Sequence, residues 1–323
     1  MSPIEHLERA SAADWPELPF KQWGDTLETL HMWSQIVGKI RMELSPWLNH
    51  SWSVPLYVTS RGLTTSPIPY GGRTFEIDFD FADHRLPIRS SDGQARWLAL
   101  EPKSVARFYH ELLEALTGMG IDVSIHPVPN EIPEPIPFPE DEVHGTYDPE
   151  HAQRLWGALV QSDRVMKAYR ARFTGKVSPV HFFWGSFDLA LTRFSGRDAP
   201  EHPGGIPNLP DEITREAYSH EVSSCGFWPG NREAPDPIFY AYAYPTPEGF
   251  SEASVSPEAA FWLADLGEFA LPYEAVRAAE SPDDELDSFL ESTHAAAADL
   301  ANWDREHLEW ERGFRPLPRH RQE

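Results

Sequence analysis

The chain has 323 residues, of which 41 % are hydrophobic and 24 % charged, a composition typical of a globular protein rather than a disordered one. Lys and Arg total 27 and Asp and Glu total 51, so the formal net charge of −24 disfavours binding to nucleic acid or to an anionic membrane. The single cysteine, Cys225, excludes an intrachain disulfide and a four-thiolate zinc site.

The start of the chain carries Glu5 and Glu8 and no apolar core, which is unlike a secretory signal. No stretch approaches the ~20 apolar residues of a membrane-spanning helix. We therefore expect a cytoplasmic protein with no membrane or nucleic-acid partner. The sequence does not indicate an oligomeric state.

The first half of the chain predicts a long helix, a run of strands and a second helix. Apolar residues recur at helical spacing through 25–44, with Asp25 and Glu28 as an N-terminal capping arrangement and Pro46 beyond the end. Phe and Ile alternate with Glu and Asp in 75–81, which predicts a strand with one buried and one acidic face. The elements expected after the first helix are strands at 54–60, 75–81, 84–89 and 96–100, a helix at 103–117 and a short strand at 121–125.

The second half predicts the same order of elements. A proline-rich connector at 126–147 disfavours regular helix or central strand and separates the halves. Asp148 and Pro149 are typical residues for the N-terminus of a helix. Strands are expected at 180–194, 219–227, 238–244 and 269–271, followed by a helix at 283–303.

This repeated order suggests an internal duplication, supported by the similarity of WSQIV at 33–37 to WGALV at 156–160. Two unrelated amphipathic helices followed by strands would look much the same. We predict an α+β fold of two pseudo-duplicated halves, each a mostly antiparallel sheet flanked by helices. The expected divisions are an N-terminal half at 1–125, the connector at 126–147, a C-terminal half at 148–303 and a charged tail at 304–323.

The first chemically unusual segment, HFFWGSFDLA, places an acid and a histidine among aromatic residues. If the segment is one strand, His181 lies on one face and Asp188 lies on the other with Trp184 and Ser186, although a bulge at Gly185 would reverse this. A carboxylate buried among aromatics is costly without a partner. Asp188 is therefore a candidate base, ligand or substrate anchor, or a structural carboxylate that binds loop amides.

The second segment, YSHEVSSCGFWPG, places His220 and Glu221 on opposite faces of a strand. It lacks the HExxH spacing of zinc peptidases, and its serines and Cys225 lack a nucleophile elbow. Glu221 is a candidate general acid or base, His220 a candidate helper, and Trp228 a candidate substrate contact. The following strand adds three tyrosines on one face, which is a pattern more typical of a core.

The third segment is the loop 193–209, which is rich in Gly and Pro. Arg193 and Arg197 are candidates for pairing with an anionic substrate. The loop could close over a pocket as a lid, or it could be a plain crossover between strands. His202, with His181 and His220, could supply ligands to a divalent metal ion, which is the one cofactor that we consider.

Four motifs, WSQIVGKIR, HFFWGSFDLA, RFSGR and SHEVSSCGFWPG, are similar to those of a bacterial family catalogued only as a domain of unknown function. The resemblance extends from about Trp15 to Trp303. It implies one full-length family domain rather than two independent modules. It implies no activity, cofactor or catalytic residue.

We predict an enzyme that acts on a small molecule, which could be anionic, in an aromatic pocket formed by residues 180–230. Asp188 or Glu221 would be the general acid or base, with His220 assisting. The substrate contacts would be Trp184, Ser186, Arg193, Arg197 and Trp228. One alternative is a non-catalytic ligand-binding or protein-interaction protein, and another is that these motifs form a packed core with no ligand.

Overall fold

The computed structural model describes residues 10–205 and 209–310. Within these residues the chain forms an α+β fold with two antiparallel sheets of six strands each, as the sequence predicts. No helix of the described residues is both long and apolar enough to cross a membrane. Residues 206–208 of the predicted loop and 311–323 of the predicted tail lie outside the described residues.

The N-terminal half consists of a long helix, six strands and a second helix. The strand order is β1-β2-β4-β5-β6, and β3 pairs with β4. Phe75, Ile77 and Phe79 of β4 are buried while the acids between them are partly exposed, as the alternation predicts. The elements are α1 (Phe20–Leu44), β1 (Tyr57–Val58), β2 (Gly62–Thr64), β3 (Ile68–Tyr70), β4 (Arg73–Asp80), β5 (Arg85–Ser90), β6 (Ala95–Ala99) and α2 (Val105–Thr117).

The C-terminal half follows the same plan with additional short helices, and its strand order is β7-β8-β9-β10-β12-β11. Its elements are α3 (Pro149–Arg170), β7 (His181–Phe183), β8 (Asp188–Asp198), α4 (Asp211–Ala217), β9 (His220–Trp228), β10 (Ile238–Tyr244), β11 (Phe261–Leu263), β12 (Glu268–Pro272), α5 (Tyr273–Ala278), α6 (Pro282–Leu300) and α7 (Arg305–Leu308). In each half an edge hairpin follows the first long helix and a helix follows the last strand, although the C-terminal sheet places β12 between β10 and β11.

The helix starts are partly as predicted. The Asp148 carboxylate caps α3 by accepting hydrogen bonds from the backbone N–H groups of Glu150 and His151, at 2.9 and 3.1 Å. The prediction that α1 starts near Asp25 is wrong, because Pro19 is its N-cap residue. Trp23 is buried one turn before Leu27, so the apolar stripe of α1 extends further back than the prediction.

The single strand predicted at 180–194 is a hairpin of β7 and β8. The turn includes Phe187, whose φ of 61° is unusual for a residue with a side chain, and its N–H donates to the Phe183 carbonyl at 2.8 Å. His181 pairs with Ala190 and Phe183 pairs with Asp188. Asp188 therefore lies on the same face as His181, which reverses the assignment made for one continuous strand.

The two halves share one hydrophobic core. Leu56 and Phe182 exchange two backbone hydrogen bonds of 2.9 Å, which join the edge of the first sheet to the edge of the second. Helix α1 contacts both α2 and α3, and its Trp33 stacks on Phe108 at 4.7 Å between ring centroids. The proline-rich connector contributes Phe138, which is completely buried.

Candidate active site

The two faces of the C-terminal sheet differ because the strands pair in register and side chains alternate between faces. One face lies against α3 and α6 and carries Leu191, Cys225, Ala241 and Phe269 on adjacent strands. The other face is polar and aromatic, and we call it the tyrosine face. It is formed by Asp188, Thr192, Ser224, Gly226, Trp228, Tyr240, Tyr242 and Glu268.

Asp188 is the most buried acid of the tyrosine face, with 6 % of its surface exposed. One carboxylate oxygen accepts a hydrogen bond from the Ser186 hydroxyl and the other accepts one from the Tyr240 hydroxyl. Burial raises the pKa of Asp188, and the two hydrogen bonds oppose that shift. Gly226 leaves the space for Tyr240, because a Cβ at this position would overlap the Tyr240 ring and the Leu189 carbonyl oxygen.

Two further carboxyl groups, from other parts of the chain, interact electrostatically with Asp188. Glu131 comes from the proline-rich connector and lies directly against Gly185, while Glu268 begins β12. Burial raises the pKa of each glutamate to about 7, and the negative charge of Asp188 contributes to both shifts. Near neutral pH both groups are therefore able to gain or lose a proton, as general acid–base catalysis requires.

Hydroxyl groups extend this polar cluster across the sheet. The Tyr242 hydroxyl lies 2.8 Å from that of Tyr218, and Thr192 Oγ1 lies 2.9 Å from Ser224 Oγ. Burial raises the pKa of Tyr242, so its hydroxyl stays protonated at neutral pH. Several of these side chains, including Tyr242 and Tyr218, are only half-buried. The tyrosine face therefore combines hydrogen-bond donors and acceptors with partly exposed aromatic surface.

The turn that carries Ser186 is held in place by α1. The Trp184 indole N–H donates to the Val54 carbonyl at 3.0 Å, and its ring occupies the space left by Gly38. Lys39 donates to the Asn130 side chain, and burial lowers the pKa of this lysine to about 8. Trp184 thus serves as a structural anchor rather than as a surface contact, since only 5 % of it is exposed.

Glu221, a predicted acid or base, does not share a site with Asp188. It pairs with Arg197 at 2.6 Å and accepts a hydrogen bond from Ser195 at 2.8 Å. Arg197 also donates to the carbonyl of Ala301, just beyond the end of α6, at 2.7 Å. These two residues line a separate cavity of about 240 Å³ and neutralise each other. The alternation of β9 places Glu221 on the opposite face from the tyrosines, so the prediction of one shared site is wrong.

Arg193 also points away from the tyrosine face. Its guanidinium carbon lies 3.5 Å from the centroid of the Tyr169 ring, and its Nη2 donates to the Tyr169 carbonyl at 2.6 Å. It lies on the helix side of the sheet, because it stands five positions after Asp188 on the same strand and an odd offset changes the face. Neither predicted arginine therefore reaches a ligand bound beside Asp188.

The three histidines proposed as metal ligands occupy different environments. His181 packs between Trp52 and Tyr57, each 5.7 Å away between ring centroids. His220 lies 3.6 Å from Asp198, and His202 stacks on Tyr218. Within residues 10–205 and 209–310, no group of three His, Cys, Asp or Glu side chains is arranged to hold a metal ion.

A family model described as a family of unknown function, DUF5996, matches residues 15–310. The chain belongs to this family. The match confirms the resemblance seen in the four sequence motifs, and it spans both sheets of this DUF5996 member. No curated protein and no solved structure matches the chain significantly.

The two glutamates that interact with Asp188 in this DUF5996 member, Glu131 and Glu268, were not among the predicted site residues. The alternating tyrosines at 240, 242 and 244 were visible in the sequence, but such a face is more typical of a core. Glu131 lies in a connector that has no periodic pattern, and Glu268 stands at the start of a short strand. Only the topology brings both glutamates to Asp188.

Proposed function

We propose that the protein is an enzyme that uses acid–base chemistry on a small neutral or cationic molecule bound at the tyrosine face. The observation that carries this proposal is the buried Asp188, bonded to Ser186 and Tyr240, whose charge helps to raise the pKa values of two partly buried glutamates, Glu131 and Glu268. Clusters of carboxyls with perturbed pKa values are characteristic of acid–base sites.

In this proposal the roles follow from the environment of each group. Asp188 organises the site through Ser186 and Tyr240. Glu131 or Glu268, with a pKa of about 7, exchanges the proton with the ligand. Trp228 contributes aromatic surface at the edge of the same face.

The charge of the site argues for a ligand that is not anionic. Three carboxyl groups disfavour an anion, whereas tyrosine faces and carboxylates together suit an ammonium group. Arg193 and Arg197, which motivated the expectation of an anionic substrate, interact with other parts of the molecule. We therefore propose amines and polyols as the first compounds to test.

The second candidate is a binding protein without turnover. It is favoured by the fact that both oxygens of Asp188 are already bonded to the chain, as expected for a structural carboxylate. Binding and catalysis are separated by measuring turnover beside ligand binding on the wild-type protein. A binding protein would bind a ligand of the panel and show no reaction with any of its compounds.

The test begins with choline as a defined ammonium probe, measured by saturation-transfer NMR on the full chain, followed by a panel of amines and polyols monitored for turnover. We expect choline to bind and its affinity to fall about tenfold in Glu268→Gln, because the variant removes one carboxylate from the site. Glu258→Gln, on the exposed surface, is the matched control and should bind as the wild type does. Equal binding of acetate and choline, or no effect of Glu268→Gln, would contradict the proposal.

A further inference from the structure

On the opposite side of the C-terminal sheet lies a cavity of about 280 Å³. It is bounded by β8, the end of α3, the helix α6 and the segment that follows α7. The side chains that line it are Arg172, Arg193, Glu291, Glu309 and Trp310. None of these residues belongs to the tyrosine face, so this cavity is separate from the proposed active site.

Arg193 is the unusual member of this cavity, because it is a cation with only 1 % of its surface exposed. One of its nitrogens donates to the Tyr169 carbonyl, but its Nε has no hydrogen-bond partner in the described part of the chain. The Tyr169 ring below it attracts the positive charge without neutralising it. A buried charge without a counter-ion is strongly unfavourable, and a bound anion would remove that cost.

The other charges around the cavity are already paired. Arg172 lies 2.6 Å from Glu291 and also pairs with Asp287. Glu309 accepts hydrogen bonds from Arg305 at 2.8 and 3.0 Å.

His294 lies 3.0 Å from Glu309, and burial lowers the pKa of this histidine to about 4, so it is neutral near pH 7. Among residues 10–205 and 209–310, Arg193 is thus the cation of this cavity that has no carboxylate partner.

We propose that this cavity binds a small monocarboxylate, whose oxygens would accept hydrogen bonds from the Arg193 guanidinium. A planar guanidinium matches the geometry of a carboxylate. The two glutamates in the wall disfavour a dianion such as phosphate, because each added negative charge is repelled. The Trp310 side chain in the same wall suits a ligand with an apolar body.

The cavity at Arg193 and the tyrosine face are independent of each other. On β8, Asp188 and Arg193 point to opposite faces of the sheet, so loss of one site leaves the other intact. Failure of choline to bind at the tyrosine face would say nothing about the cavity. Failure of a carboxylate to bind in the cavity would equally leave the acid–base proposal unchanged.

The experiment uses benzoate as the probe and benzamide as its neutral isostere, titrated into the full chain by calorimetry. We expect benzoate to bind with 1:1 stoichiometry and benzamide to bind at least tenfold more weakly. Arg193→Met should lower the affinity for benzoate at least tenfold, while Arg96→Met, an exposed arginine in the other sheet, should leave it unchanged. Equal affinity for benzoate and benzamide, or unchanged affinity in Arg193→Met, would overturn the proposal.

A second variant keeps the proposal testable if Arg193→Met does not fold. Glu291→Gln removes a negative charge from the wall and leaves Arg172 paired with Asp287 alone, so affinity for benzoate should rise several-fold. Inorganic phosphate, tested in parallel, should bind more weakly than benzoate to the wild type. Unchanged or weaker benzoate binding by Glu291→Gln, or tighter binding of phosphate than of benzoate, would contradict a monocarboxylate site.

Discussion

At the scale of single residues, several buried polar groups make the stability of this protein depend on pH. His181 has 1 % of its surface exposed, and neither ring nitrogen has a hydrogen-bond partner in the described part of the chain. Burial lowers the pKa of His181 to about 3. Such a group is neutral in the native state but binds a proton in the unfolded state below about pH 6.5. Its effect on stability therefore depends on pH.

We expect His181→Phe to stabilise the protein more at pH 5 than at pH 8. As the pH falls from about 6.5 towards 3, the unfolded wild type gains a proton that the native state excludes, so stability is lost over this window. Phenylalanine does not titrate and leaves no buried nitrogen without a hydrogen bond. The substitution should therefore raise the free energy of unfolding by about 1–2 kcal/mol at pH 5. Urea unfolding at the two pH values measures the difference, with the exposed His126→Phe as control. A smaller gain at pH 5 than at pH 8 would be inconsistent with this account.

The raised pKa values of Glu131 and Glu268 predict that stability depends on pH in the opposite direction. With a native pKa of about 7 and an unfolded value near 4.5, each glutamate binds more protons in the native state between these limits, so stability falls as the pH rises through this window. Glu131→Gln and Glu268→Gln should each stabilise the protein at pH 8 relative to pH 5, by about 1 kcal/mol after solvent screening. Thermal unfolding at both pH values tests this. An equal increase in stability in the exposed control variant Glu258→Gln would show that the effect is not specific to Glu131 and Glu268.

At the scale of elements, close packing at glycines positions the tyrosine face. Gly226 lies on β9 opposite Tyr240 of β10 and leaves the space into which the Tyr240 ring leans towards Asp188. Gly38 of α1 performs a similar role for Trp184. In both cases an element interior contains glycine because another side chain occupies the position of its Cβ, which outweighs the poor intrinsic propensity of glycine for helix and strand.

We expect Gly226→Ala to destabilise the protein by about 1–3 kcal/mol, because the added methyl group overlaps the backbone oxygen of Leu189 as well as the Tyr240 ring. The same change should break the hydrogen bond from Tyr240 to Asp188. Gly72→Ala is the matched control, since a Cβ at Gly72 meets no atom within 4 Å. Chemical denaturation of both variants makes the comparison, and equal stability of the two would refute the packing argument.

The sequence predicted most elements but not their junctions. Periodicity located α2, β4 and β10 to within about two residues, because each has one apolar face. It did not locate the turn between β7 and β8, where a residue with a bulky side chain adopts positive φ. This turn decided on which face Asp188 lies. The short strand predicted at 121–125 does not form in the structure.

At the scale of the whole molecule, the two sheets form one structural unit. The backbone bridge between Leu56 and Phe182, the shared helix α1 and the buried Phe138 of the connector all cross the boundary between the halves. A continuous core of this kind couples the unfolding of both halves, because neither can open without exposing apolar surface of the other. The connector at residues 126–147 therefore divides the two halves along the chain, but one hydrophobic core continues through both of them.

We expect a single cooperative transition in scanning calorimetry, with the calorimetric enthalpy close to the van't Hoff enthalpy. Phe138→Ala, which empties a fully buried site in the connector, should lower the midpoint without splitting the transition. Two resolved transitions in the wild type would instead indicate that the halves unfold independently.

Periodicity and motifs that are local in the chain are enough to predict the α+β class, the division into two sheet-containing halves and the family. Which polar residues meet depends on how the chain folds in three dimensions. Asp188 and Glu131 stand far apart in the sequence and converge because the connector lies against the turn at Gly185. Glu221 and Arg193, near Asp188 in sequence, point away from it because side chains alternate along each strand. Strand register and turn geometry set this convergence, and neither leaves a local pattern in the amino-acid sequence.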